Sequence, residues 1–190
     1  MPIRIFIDQG HNPSGPNPGA KGNGLLEQDV NYLVGKELAE LLQKDSRFSV
    51  RLSRNRPEEV LGTDNFTSLF TRVRMANQWP AHYFLSIHCN SNPNPAINGT
   101  EAYVYQGYSQ AYWLGEHIIN GITAETGTQN NGVRINPTFY VLRNTTMPAV
   151  LIELGYLSNV EDAQKLRDHP DYFAKGIYRG LLSYFDFSEV

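Results

Sequence analysis

Apolar residues fall along the chain in two alternating patterns, short runs and helical stripes. Residues 3–8 (IRIFID) form a compact apolar run, which predicts a short buried strand. From Asn12 to Gly24 the prolines 13, 16 and 18 and the glycines 15, 19, 22 and 24 exclude both a helix and a central strand. A helical stripe follows over about 26–44, carried by Val30, Leu33, Val34, Leu38, Leu41 and Leu42. Residues 48–52 read as a second strand, 66–78 as a helix ending near Trp79-Pro80, and 82–88 (HYFLSIH) as a central strand. Further strands are predicted at 101–105, 139–142 (FYVL) and 149–154 (AVLIEL), and a helix at 109–125. Ser158-Asn159-Val160-Glu161 fits a capping box that opens a helix over 160–168. Pro170 then starts a last helix with Phe173, Ile177, Leu181 and Tyr184 on its stripe.

Strands alternating with helices predict an α/β domain: one mixed, largely parallel sheet of about six strands, with helices on both faces. The strand at 101–105 follows its predecessor through a loop alone, so one pair is open to being antiparallel. The 190 residues fit a single domain spanning 1–190. Basic residues number 16 against 19 acidic ones, a balance that argues against a nucleic-acid partner. No apolar run approaches the roughly 18 residues of a membrane span. The amino terminus lacks the pattern of a signal peptide, which leaves any export route open. A single cysteine, Cys89, rules out an internal disulfide framework and a cysteine-based zinc knuckle.

Open α/β sheets bind ligands beyond the carboxyl ends of their strands. His11 follows the first predicted strand, His88 ends the third and Glu153 nearly ends the last. Glu27 opens the first long helix, in line with Val30 and Val34 on the apolar stripe. An acid there either answers the helix dipole or needs a cation or several donors. Two histidines and a carboxylate with one open position make a catalytic zinc set, and a further carboxylate is then free to move protons. On this reading His11, Glu27 and His88 hold one Zn2+ and Glu153 is the general base.

Several segments in order resemble a known family. They are Ile7-Asp8-Gln9-Gly10-His11, Gly24-Leu25-Leu26-Glu27, Leu69-Phe70-Thr71-Arg72, Leu85-Ser86-Ile87-His88-Cys89-Asn90-Ser91, Gly99-Thr100-Glu101, Tyr140-Val141-Leu142-Arg143 and Met147 through Asn159. Together they resemble the zinc-dependent N-acetylmuramoyl-L-alanine amidases of the type 3 class. The resemblance implies zinc at His11, Glu27 and His88, catalysis by Glu153, and hydrolysis of the amide between the muramic acid lactyl group and L-alanine. It also implies a peptidoglycan or muropeptide partner, action at the bacterial cell wall, and leaves an activator protein open. The chain departs from the family at Gln9, usually proline, in the Asn12–Gly15 loop, usually glycine-rich, and at Cys89, usually a smaller residue.

Two rival functions stand beside this one. One is a zinc peptidase cutting within the stem peptide; the other is a non-catalytic wall-binding protein on the same fold. Among the remaining residues, Cys89 should face away from His88 on an extended strand, which argues against a thiol nucleophile. Arg72 reads as holding a carboxylate, and Asn90 and Ser91 as orienting His88 or substrate. His82, His117 and His169 read as surface or supporting residues.

Overall fold

The computed structural model describes residues 1–189. A six-stranded sheet runs in the order β4-β1-β5-β8-β6-β7. Its strands are β1 (Ile3–Gln9), β4 (Phe48–Leu52), β5 (Tyr83–Asn90), β6 (Thr100–Val104), β7 (Asn130–Ile135) and β8 (Ala149–Tyr156). β4, β1, β5 and β8 are parallel; β6 runs antiparallel to β8 and parallel to β7. A separate small hairpin joins β2 (Lys21–Gly22), at the end of the segment the prolines and glycines mark as irregular, to β3 (Leu25–Leu26) just beyond it.

The predicted layers are present. On one face α1 (Glu27–Lys44), α3 (Gln110–Thr126) and α6 (Pro170–Tyr184) pack on the larger core, with Ile5, Ile7, Leu85, Ile87 and Ile152 from the strands. On the other, α2 (Asn65–Gln78) and α4 (Tyr140–Asn144) cover Phe6, Phe84, Ala149 and Leu151. The last helix of the set is α5 (Val160–Asp168). α3 and α6 meet backbone to backbone: a Cβ on Gly176 would lie 2.5 Å from the Ile122 Cα, and one on Gly180 equally close to the Ile118 Cα. Among the described residues no helix is long and apolar enough to cross a membrane.

Four expectations need correction. Residues 139–142 are not a strand. β8 is already flanked by β5 and β6, and the FYVL run instead enters the turn of α4, burying Val141 and Leu142. β7 was not foreseen, because it is a polar edge strand, NNGVRI. Leu33 is exposed; the inward face of α1 takes Glu27 and Asn31 in its place. The cap of α5 is Asn159, whose side chain accepts from the Asp162 N–H, while Ser158 accepts from the Asn92 N–H.

Both ends of the described chain lie beside the starts of the parallel strands. Ile3 pairs with Phe48, where β1 and β4 begin. After α6, Phe185 and Phe187 pack on Phe48, and Arg47 donates to the Ser188 carbonyl.

Candidate metal centre

β1 ends in a tight loop whose first residues are fixed by one guanidinium. Arg72, on α2, is fully buried against Asp8, its Nη1 2.6 Å from Asp8 Oδ1. Arg72 also donates to the carbonyls of Gln9 and His11, each at 2.6 Å, and to Asn12 Oδ1. His11 sits at φ 67°, a left-handed conformation that a side chain adopts only when its surroundings impose it. The bond from Arg72 to its carbonyl supplies part of that constraint. Arg72 is thus a positioning residue, in line with its reading as the holder of a carboxylate.

His11 Nδ1 faces two acceptors of Asn17, the carbonyl at 3.3 Å and Oδ1 at 3.2 Å, so this nitrogen carries the hydrogen. His11 Nε2, on the other side of the ring, points at Glu27 Oε1, 3.1 Å away. His88 Nδ1 approaches the same oxygen at 2.9 Å. Two imidazole nitrogens converging on one carboxylate oxygen form a set that a cation can occupy. The donor atoms of His11, Glu27 and His88 all lie within 4.8 Å of one another. Glu27 is buried and both histidines are partly exposed, so the set is closed toward the core and open toward solvent. The residues fit a metal ion with one free face.

Each donor has its own support. Glu27 is the first residue of α1, and its Oε2 accepts from the Ala20 N–H at 2.8 Å while its Oε1 accepts from the Cys89 N–H at 3.1 Å. Burial pushes the Glu27 carboxyl up, but the hydrogen bonds and charges of His11 and His88 outweigh it and hold the group well below the usual carboxylate range. His88 projects past Gly10, where a Cβ would lie 2.3 Å from the imidazole. The glycine is there because the ring needs the space.

Glu153 pairs in register with His88 on β5 and with Glu101 on β6. Its Oε2 is buried with no hydrogen-bond partner among the described residues. Burial, then the charges of Glu27 and Glu101, push its carboxyl well above the ordinary range. Glu153, His11 and His88 line one cavity of about 260 Å3, which Leu69, Phe139 and Tyr140 also wall. The topology thus brings all four sequence-derived candidates to one edge of the sheet.

Cys89 is buried, with Sγ 3.5 Å from Asn31 Oδ1, and burial pushes its thiol well up, which denies it a nucleophilic role. Asn90 turns from His88 and donates to Glu101 Oε1 at 2.8 Å; the register shifts between these two residues of β5. Ser91 donates its N–H to Asn90. Asn17 and Asn31 carry no signal in the sequence, and Glu101 stands there as part of the Gly99-Thr100-Glu101 motif. Glu101 accepts from Asn90, Tyr103 and Tyr156 and pairs with Arg134 at 2.8 Å. An acid between the apolar residues of a strand was the one available signal for it. His82, His117 and His169 stand apart from the set, bonded to the Arg4 N–H, beside the Ser183 hydroxyl and stacked on Tyr172.

Three donors with an open face and an unpaired carboxylate alongside are the equipment of the metal-dependent hydrolases. The chain belongs to the N-acetylmuramoyl-L-alanine amidase family, which matches residues 5–183. It is 38% identical to the N-acetylmuramoyl-L-alanine amidase LytC of Bacillus subtilis (strain 168) over 185 residues, covering 95% of this chain and 35% of LytC. The chain therefore spans about a third of that relative's length. The solved catalytic domain of CwlV, an N-acetylmuramoyl-L-alanine amidase from Bacillus (Paenibacillus) polymyxa, superposes with a TM-score of 0.84 at 32% identity over 98% of this chain and 99% of that one. The CwlD amidase of Clostridioides difficile, solved in complex with the GerS lipoprotein, gives 0.88 at 25% identity over 97% and 98%.

Proposed function

We propose that this domain hydrolyses the amide joining the lactyl group of N-acetylmuramic acid to L-alanine in peptidoglycan, with His11, Glu27 and His88 holding one zinc ion and Glu153 moving the proton. The observation that carries the reading is the convergence of three supported donors on an open face beside a buried carboxyl oxygen with no hydrogen-bond partner among the described residues. Two histidines and one carboxylate suit zinc, which in such a site acidifies water and polarises a carbonyl.

The chain's own groups supply the rest. The cavity lined by His11, His88 and Glu153 would receive the scissile amide. Water adds to the lactyl carbonyl carbon, and Glu153 accepts the proton it gives up. Burial and the nearby charges of Glu27 and Glu101 raise the proton affinity of Glu153, which suits a group that takes up a proton and passes it on. The C–N bond then breaks, Glu153 returns the proton to the departing nitrogen, and a free lactyl carboxylate and an L-alanine amine result. Asn17 keeps the His11 ring oriented throughout. The place of action is the cell wall.

Metal content and wall digestion by wild type, His88→Ala and Glu153→Gln test the assignment. Wild type should carry about one zinc per chain. His88→Ala should lose metal and digestion together. Glu153→Gln should keep the metal and lose at least about a hundredfold in turnover. New amino termini on L-alanine, rather than ends within the stem peptide, identify the bond. A Glu153→Gln variant of near-normal rate removes Glu153 from the mechanism.

A further inference from the structure

The outer face of α2 carries two phenylalanines in water, Phe66 at 61% and Phe70 at 42% exposure. Their rings stack with centroids 6.2 Å apart and planes 21° apart, and Phe66 also meets Tyr140 of α4 edge to face at 5.6 Å. Arg74 places its guanidinium 5.7 Å from the Phe70 centroid. No ion pair engages Arg74 among the described residues. The rings form a contiguous ledge, each in contact with a neighbour.

The ledge is continuous with the catalytic cavity. Tyr140 belongs to both: it walls the cavity with His11, His88 and Glu153, and it lines a shallow depression with Phe70 and Arg74. Leu69, beside Phe70 on α2, walls the cavity as well. Other exposed rings, such as Tyr108 and Trp113, follow the carboxyl end of β6, which its antiparallel course carries to the opposite edge of the sheet.

The chemistry of the substrate names an occupant. The scissile carbonyl is one lactyl group away from a pyranose, so the sugar must lie at the cavity rim when the amide sits at the donor set. Pyranose rings present a face of C–H bonds that packs on aromatic faces, with hydroxyl and acetamido groups at the edge for a donor such as Arg74. We infer that Phe66, Phe70 and Arg74 form a saccharide subsite that holds the glycan strand beyond the reacting muramoyl residue, making strands better substrates than isolated muramoyl peptides. The inference rests on the amidase reading above.

The test compares a single-sugar muramoyl dipeptide with soluble glycan strands bearing stem peptides. For Phe66→Ala/Phe70→Ala, kcat/KM on strands should fall about tenfold or more, mainly through KM, with the dipeptide rate unchanged. Phe66→Trp should retain the preference for strands, and its added fluorescence should change as peptide-free glycan strands are titrated in. Melting temperatures of both variants check the fold, and Phe66→Trp carries the test should the double variant unfold. Equal losses on both substrates, an unaffected strand rate, or an indole blind to glycan overturns the subsite. A wild type that cleaves neither substrate overturns the amidase reading instead, and the glycan titration still decides the ledge.

Discussion

Removing the guanidinium of Arg72 should cost more than any surface change, and the structure fixes the sign as well as the size. Arg72→Met keeps most of the side-chain volume but strands Asp8, whose carboxylate is fully buried and 2.6 Å from the lost charge. Breaking a buried ion pair from one side costs about 3–5 kcal/mol. In a protein of this size each kcal/mol moves the melting temperature by roughly 2–4 °C, so a fall of about 10 °C is expected. Burial pushes the Asp8 carboxyl up, but the Arg72 charge and hydrogen bond outweigh it and hold the group below its ordinary range. A carboxyl lowered on folding stabilises above its unfolded pKa of about 4, and that stability is lost as pH falls through the folded value. The gap between wild type and Arg72→Met should therefore be full at neutral pH and shrink in acid. Asp8→Asn/Arg72→Met should recover part of the loss, since the double variant leaves neither charge of this pair buried without its partner, and the cycle of the four proteins gives the coupling directly. Denaturant melts across pH are the assay. A neutral-pH loss below about 1 kcal/mol, or a gap that does not narrow in acid, would refute the account.

Three other outcomes follow from the geometry. Gly10→Ala drives a methyl into the His88 ring, so zinc affinity should drop by about ten- to a hundredfold while the metal-free melt barely moves; equilibrium dialysis checks the first and calorimetry the second. Gly176→Ala meets the Ile122 backbone at 2.5 Å and should cost about 1–3 kcal/mol, with wall digestion at low temperature retained. Cys89→Ala should keep turnover within about twofold, and the native thiol should resist alkylation until the protein unfolds, as timed labelling would show.

The parts of this fold that could be read from the chain are those where burial dictates residue type. β1, β5 and β8 are largely buried on both faces, so they appear as apolar-rich runs with few polar interruptions. β7 is an edge strand with half its positions polar, and it leaves no such mark. The four apolar residues of 139–142 suit a strand or a buried helical turn equally, and only the absence of a free strand edge beside β8 decides for the turn. The donor residues were legible because strand ends and an acid on an apolar stripe are unusual places for His11, His88 and Glu27. Their supports were not. Asn17 and Ala20 act from the loop after β1 through a few local hydrogen bonds that impose no periodicity, and Asn31 meets Glu27 one turn along α1 at a position that reads as an ordinary helix residue. Glu101 was visible only as an acid in a strand, and its three side-chain donors come from β5, β6 and β8, which only the fold assembles.

Where the polypeptide enters and leaves the domain has a mechanical consequence. Ile3 and Ser188 both lie against the segment at Arg47 and Phe48, at the rim of the sheet opposite the donor set. Sequence joined to either end emerges from the back of the molecule, with the full length of the strands between it and the cleft. A tether or fused module there holds the domain by its base and leaves the cleft facing outward. An enzyme anchored in this way can sweep a solid polymer without its own leash crossing the path of the strand it is cutting.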